Sequence, residues 1–151
     1  MINWVTRILG VIRDTISHTT SPAMHNAAIA ALGWDYAYVA FHVRPDELGQ
    51  AIEGMRALQI AGLNVTVPHK QSVMAHLDEV SAEAVAIGAV NTVVNCQGRL
   101  VGYNTDAFGI LESLKRDGGA ERLPAQVALL GAGGAARAIL YALLPVSYTH
   151  L

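Results

Sequence analysis

The chain has 151 residues, 52% of them hydrophobic, a formal net charge of −2 and one cysteine, Cys96. That length holds one average domain, or one domain and part of another, and the apolar fraction is ample for a core. The charge exerts no pull toward nucleic acid or an anionic membrane. A lone cysteine excludes an internal disulfide and no Cys/His grouping has metal-ligand spacing, while the absence of a leader or bilayer-length apolar run points to a cytoplasmic protein.

Thr6 to Ile12 reads as a short apolar strand, followed by a hydroxyl-rich loop, Arg13 to Pro22. Ser21 is a good N-cap and Pro22 suits the first helical position, where its missing N–H costs nothing. That helix runs through Met24, Ala27, Ala28 and Ala31 to Gly33, a C-capping glycine. Capping alone accounts for Ser21, yet the hydroxyls of Thr19 and Ser21 also lie at a strand-to-helix turn where free backbone donors meet ligands. Tyr36 to Val43 reads as the second strand. Pro45 opens a second helix, Asp46 to Leu58, with Leu48, Ile52, Met55 and Leu58 on one face.

In Gly62 to Lys70, Leu63, Val65 and Val67 alternate with Asn64 and Thr66, the period of a half-buried strand. Pro68 cannot donate to a ladder and ends it. Asn64 and Thr66 leave one face and Lys70 follows just past the end, where ligands sit in open α/β sheets. An amide, a hydroxyl and an ammonium suit a small ligand rich in hydroxyls and carboxylate; a polar solvent face with a surface lysine is the plainer account of the same three residues. The strand–helix–strand–helix–strand order predicts a parallel sheet.

Gln71 to Leu77 and Ser81 to Ile87 read as helices. Gly88 to Asn95 enters a strand, Cys96-Gln97-Gly98 is a turn and Arg99 to Asn104 returns as a hairpin, with Asn91 and Asn104 near its open end. Turn formation or edge solvation explains either asparagine taken singly. A helix follows from Ala107 to about Arg116, with Thr105 or Asp106 as N-cap. Asp117-Gly118-Gly119 breaks it and 120–125 is a polar linker, so the expected division is 1–105 and 106–151. Gln126 to Leu130 reads as a strand leading into Gly131-Ala132-Gly133-Gly134-Ala135-Ala136 and a helix. This is GxGxxA in the strand–turn–helix context of a dinucleotide site, with a tight ligand-free turn as the alternative. Pro145 should end that helix at Leu144. The six histidines, His18, His25, His42, His69, His76 and His150, have no i,i+4 pair and no adjacent carboxylate; all read as structural or solvated, with His69 the best placed to line a site.

Five motifs together resemble the shikimate dehydrogenase family. They are His18 to Asn26, Asn64 to Lys70, Ile87 to Val93, Gly102 to Asp106 and Gly131 to Ala136, in family order. The resemblance implies an α/β fold: a three-layer, parallel-sheet substrate-binding domain, then the incomplete start of a Rossmann-like NAD(P)-binding domain, with the active site between them. It implies NADPH-dependent reversible reduction of 3-dehydroshikimate to shikimate, a step toward chorismate and the aromatic amino acids. By it Thr19 holds the substrate carboxylate, while Ser21, Asn64, Thr66, Asn91 and Asp106 hold its hydroxyls. Lys70 and Asp106 form the catalytic pair, and Gly131, Ala132, Gly133, Gly134 and Ala135 hold NADP. No metal is implied, and the intact enzyme is expected to be a monomer or homodimer.

The residue types agree with that chemistry. A ring ketone reduced by hydride leaves an alkoxide that needs a proton as it forms, which Lys70 can supply while Asp106 orients lysine and substrate. Thr19 stands where the family usually has serine, and Arg13 and Thr15 replace a small residue and a proline. Family members run on well past Leu151, through the segment that selects NAD or NADP. The expectation for this chain is therefore an inactive fragment that binds dinucleotide weakly or not at all and aggregates through Val127, Leu129, Leu130, Ile139, Leu140 and Leu143. The competing readings are a quinate/shikimate dehydrogenase of broader range and a non-catalytic module sensing the same acids; the presence of both Lys70 and Asp106 disfavours the latter.

Overall fold

Alternation of apolar residues with a period of two, broken by helix-forming stretches, builds a sheet with helices against it. The computed structural model describes residues 2–15, 19–118 and 126–147. The predicted linker at 120–125, together with His18 and His150, lies outside the described residues. In chain order come β1 (Arg7–Arg13), α1 (Ser21–Ala31), β2 (Tyr36–His42), α2 (Leu48–Ala57), β3 (Gly62–Val65), β4 (Glu79–Val80), α3 (Ala82–Ile87), β5 (Thr92–Cys96), β6 (Arg99–Tyr103), α4 (Asp106–Arg116) and α5 (Gly134–Ser147). Short 3-10 helices occupy Pro45–Glu47 and Ser72–His76. None of the described helices is long and apolar enough to cross a membrane.

The six strands lie in the order β2-β1-β3-β5-β6-β4. β1 is parallel to β2 and to β3, but β3 and β6 both run antiparallel to β5. The sheet is therefore mixed, which corrects the all-parallel expectation. The cause is local: Gln97 and Gly98 both adopt positive φ, 56° and 92°, the two-residue turn whose twist matches a hairpin. A hairpin reverses direction, so β5 and β6 cannot both follow β1 and β3.

Successive strand residues face opposite sides. Ile12, Leu63, Val65, Val93 and Leu100 turn toward α2, where Leu48, Ile52 and Met55 complete the main core. Ile52 and Met55 have no solvent exposure, and full burial of such side chains stabilises by roughly 1.5–3 kcal/mol each. Leu58, expected on that same face, is instead 75% exposed, because α2 ends at Ala57 and the chain turns away through Gln59 at φ 52°. On the other face α1 covers β1 and β2, packing Ile29 on Val11 and Tyr38. Helices lie against both faces of the mixed sheet, but α1 covers only part of its side, so the strict three-layer expectation is corrected together with the parallel one.

Several boundaries also move. The predicted helix over Gln71–Leu77 is a five-residue 3-10 turn, and β4 had no alternation long enough to read. β3 stops at Val65, three residues before Pro68, although the Thr66 N–H still donates to Ile12 O at 3.2 Å. Residues 126–130, expected as a strand, are exposed and join no strand of the sheet. Helix α5 continues through Pro145 to Ser147 rather than ending at Leu144; so close to the C-terminal end, proline interrupts only the last turn. Its buried side, Ala138 and Ala142, packs with Ile87, Ala89 and Ala107 from α3, α4 and the loop between.

Candidate active site

The sheet order brings four separate stretches to one end. The carboxyl ends of parallel β1 and β3 lie side by side, and antiparallel β5 begins where β3 ends: Asn64 pairs with Thr92 and Thr92 with Tyr103. Thr19 and Ser21 therefore follow β1, Asn64, Thr66 and Lys70 follow or end β3, Asn91 opens β5, and Asp106 follows β6. Backbone hydrogen bonds fasten these pieces together. Val65 N–H donates to Asn91 O at 2.8 Å, Asn91 N–H to Tyr103 O at 3.0 Å, and Val90 N–H to Lys70 O at 2.7 Å.

Lys70 Nζ donates to Asp106 Oδ2 at 2.6 Å, across 36 residues of sequence. Both side chains are partly buried, 15% and 29% exposed. Asp106 is the first residue of α4, where free N–H groups and the helix dipole favour a carboxylate. Its Oδ1 accepts from Asn91 Nδ2 at 2.7 Å. Neighbouring Thr105 takes the N-cap position without a side-chain cap bond, while Asn104 Oδ1 accepts the Asp106 N–H at 3.0 Å. Asn104 is buried and its Nδ2 donates to Ala89 O at 3.0 Å, so it shapes the turn and does not face the site.

His69 was the histidine best placed to line a site, and this is corrected. It is fully buried, with Nε2 hydrogen-bonded to Val43 O at 2.8 Å. It ties the turn before Lys70 to the end of β2. Elsewhere, His42 faces Asp14 at 3.4 Å on the surface and His25 stacks on Tyr38 at 4.2 Å between ring centroids. Among the described residues, no group of three or more His, Cys, Asp or Glu is placed to hold a metal ion.

Asn91 is held by the Thr105 backbone N–H at its Oδ1, 3.0 Å, leaving Nδ2 for Asp106 and Thr105 Oγ1. Asn64 Oδ1 accepts the Tyr38 hydroxyl at 2.7 Å, and its Nδ2 lies 3.5 Å from Thr92 Oγ1. Ser21 is not the N-cap; it is the first residue of α1, and Thr20 holds the cap position without a side-chain bond. The hydroxyls of Ser21 and Thr66 thus have no hydrogen-bond partner among the described residues, while Thr19 Oγ1 accepts the Ser21 N–H at 3.4 Å. Tyr38, Thr92 and Asn26 escaped the sequence reading. Alternation alone puts Tyr38 on one face of β2, but nothing linear says that β1 alone separates it from Asn64.

The glycine-rich turn reaches the same place. Gly131 has φ +113°, open to glycine and strained for other residues, and a side chain at Gly131 or Gly133 would meet nothing within 4 Å. That leaves room for a diphosphate to approach the backbone at the start of α5, where the N–H groups point. A Cβ on Gly134 would stand 3.3 Å from Cβ and Cδ of Lys70, so the turn lies against the stem of the lysine. Ala132 and Ala135 are exposed beside it. These residues fit the diphosphate of a dinucleotide at the start of α5, beside Lys70.

Residues 11–93 match the shikimate dehydrogenase substrate-binding domain. The chain is 53% identical over 133 residues to a shikimate dehydrogenase (NADP(+)) of Symbiobacterium thermophilum, covering 88% of this chain and 45% of that protein. A shikimate dehydrogenase solved in complex with NADP+ superposes with a TM-score of 0.89 at 44% identity, covering 95% of this chain and 50% of the other. The Thermus thermophilus enzyme, solved with NADP(H) and shikimate, gives 0.83 at 42% identity, over 92% and 52%. The chain spans about half the length of the relatives it matches. With the family's substrate-domain match over 11–93, the sheet that carries it and the lysine–aspartate pair at its end, this chain belongs to the shikimate dehydrogenase family.

Proposed function

We propose that the chain is the substrate-binding part of an NADP-dependent shikimate dehydrogenase, reducing 3-dehydroshikimate to shikimate. The observation that carries this is the 2.6 Å contact of Lys70 Nζ with Asp106 Oδ2, at the end of a sheet that also presents Asn64, Thr66 and Asn91. Residues 1–105 form the substrate domain and 106–151 open a Rossmann-like nucleotide domain. Gly131, Ala132, Gly133, Gly134 and Ala135 hold the NADP diphosphate, and bound NADPH supplies hydride. Among the relatives, shikimate and NADP(H) occur together in the Thermus thermophilus structure, which supports both assignments. The exposed, unpaired Cys96 supports a cytoplasmic setting.

The residues divide the work by chemistry. Ser21, Asn64, Thr66 and Asn91 supply hydroxyls and amides to the ring hydroxyls, and Thr19 meets the carboxylate. Lys70 delivers a proton from Nζ to the carbonyl oxygen as negative charge develops there, and accepts it in the reverse direction. Lysine suits this task where arginine does not, since arginine stays protonated throughout the working range. Asp106 fixes the ammonium and, with its other oxygen held by Asn91, keeps one geometry through the transfer.

Lys70→Ala, placed in a chain continued through a complete nucleotide-binding domain, should lower turnover by roughly 10²–10⁴-fold. Shikimate affinity, followed by titration calorimetry, should change far less. Near-normal turnover would remove Lys70 from the mechanism. The methyl of Thr19 bears on the choice between shikimate and quinate, which the ratio of kcat/KM for the two acids decides.

A further inference from the structure

A carboxamide has two faces, and a half-turn about its last bond exchanges donor for acceptor. Asn64 helps a polyol only if that choice is made before the ligand arrives. Two neighbours make it. On one side the Tyr38 hydroxyl lies 2.7 Å from Oδ1. On the other, Thr92 Oγ1 lies 3.5 Å from Nδ2, and Thr92 directs its single hydroxyl hydrogen to Asn91 Oδ1 at 3.0 Å. A flipped Asn64 would set its oxygen against the Thr92 oxygen, and Thr92 could answer only by giving up its bond to Asn91 Oδ1. The donors then run one way: Tyr38 to Asn64, Asn64 to Thr92, Thr92 to Asn91, and Asn91 to the Asp106 carboxylate at 2.7 Å.

Tyr38 is itself fixed by α1. Asn26 brackets its backbone, donating from Nδ2 to Tyr38 O at 2.8 Å and accepting the Tyr38 N–H at Oδ1, 2.9 Å. His25 stacks on the ring with an interplanar angle of 15°. Burial pushes the phenol up to about 12, so it keeps its O–H across the working range. A phenol can also accept, and Thr92 on the far side is what favours Tyr38 as the donor to Oδ1. The same helix carries Ser21 at its start.

We propose that Tyr38 is a positioning residue: its hydroxyl, with Thr92 opposite, fixes the orientation of the Asn64 carboxamide and leaves the second Nδ2 hydrogen for the ligand, and α1 holds Tyr38 there through Asn26 and His25. Tyr38 touches neither substrate nor cofactor in this role. The ligand half of the proposal rests on the reading of Asn64 as a shikimate-binding residue given above.

The test uses the 151-residue chain and Tyr38→Phe, which keeps the ring, its stack on His25 and both backbone bonds to Asn26. Without ligand, the side-chain amide resonances of Asn64, assigned by their loss in Asn64→Ala, should shift and broaden in Tyr38→Phe while those of Asn26 stay in place. An unmoved Asn64 pair overturns the proposal. Shikimate titrations of the parent, Tyr38→Phe, Asn64→Ala and the double variant supply the second reading. Tyr38→Phe should weaken binding about 3- to 10-fold, the range of one neutral hydrogen bond. The double variant should bind no worse than Asn64→Ala alone. Additive losses would mark Tyr38 as merely structural and overturn the proposal. A parent chain that fails to bind shikimate overturns the substrate reading and the ligand half with it, while the ligand-free spectra still decide whether Tyr38 sets the amide.

Discussion

The sheet region and the stretch 126–147 are both apolar, yet they fold differently. Within 7–105 each apolar strand finds a neighbour, and Ile52, Met55, Val73, Val93 and Leu100 lose all contact with solvent. In the second region Val127 is 52% exposed, Leu130 96% and Leu140 53%. Residues 126–130 join no sheet, whereas the helix beside them forms. The difference is one of where hydrogen bonds are closed. A helix satisfies its own backbone within a few residues, while a strand is a relation between two segments and exists only where the second is present.

The largest effect that would sharpen this contrast is in the main core. Ile52→Ala should cost about 2–5 kcal/mol, in the range of a buried Ile truncation, read as a fall in the urea midpoint. A loss under about 1 kcal/mol would mean the sheet region is as loosely packed as its neighbour. Next comes Ala138→Asp, which puts a carboxylate into the fully buried contact of α5 with α3 and α4. Limited proteolysis should then cut within 126–147 while the remaining core keeps nearly its parent melting temperature. If the whole chain melts together instead, the two regions are one cooperative unit and the comparison breaks.

A third test is one of pH. Asp78 accepts from Arg56 Nη1 at 2.8 Å and from the Leu100 N–H at 2.6 Å; the Arg56 bond first, then the backbone bond, lowers its carboxyl below the ordinary aspartate value. A carboxyl whose folded pKa is depressed stabilises above its unfolded pKa of about 4 and loses that contribution as pH falls through the folded value. Asp78→Asn should flatten the acid side of the stability curve measured by urea melts, a modest change because the pair is solvent-accessible. The smallest effect concerns Leu130. Leu130→Ser should shift stability by no more than about 0.5 kcal/mol and reduce light scattering, since it removes apolar surface that packs on little. Unchanged scattering would locate association elsewhere.

Much of the fold was legible because its signals are local. The alternation around Asn64, the Pro22 helix start and the Gln97-Gly98 turn each depend on a few adjacent residues, and each agrees with the structure to within a residue or two. So does the convergence of Lys70 and Asp106, which followed from motif resemblance and from strand ends meeting in an α/β sheet. Strand direction was not legible, since strands β1 and β3 look alike whether β5 runs with them or against them. Residues 126–130 failed for the complementary reason: their pattern is a strand's, but among the described residues no strand pairs with them. His69 misled because a polar residue next to a site motif reads as part of the site, whereas here its imidazole is turned inward to the Val43 carbonyl. Tyr38 depended on sheet order, which no spacing along the chain encodes.

The amide ladders joining Val65 to Asn91 and Asn91 to Tyr103 have an evolutionary consequence. Separations among Lys70, Asp106 and the amides of Asn64 and Asn91 are inherited from the peptide repeat, so loops far from this end are free to lengthen without detuning them. A one-residue deletion inside β5 is another matter: it would invert every side chain beyond it and carry Asn91 out of reach of the carboxylate. Tolerance to insertion should therefore be high at the far turn of the hairpin and vanish within the strand.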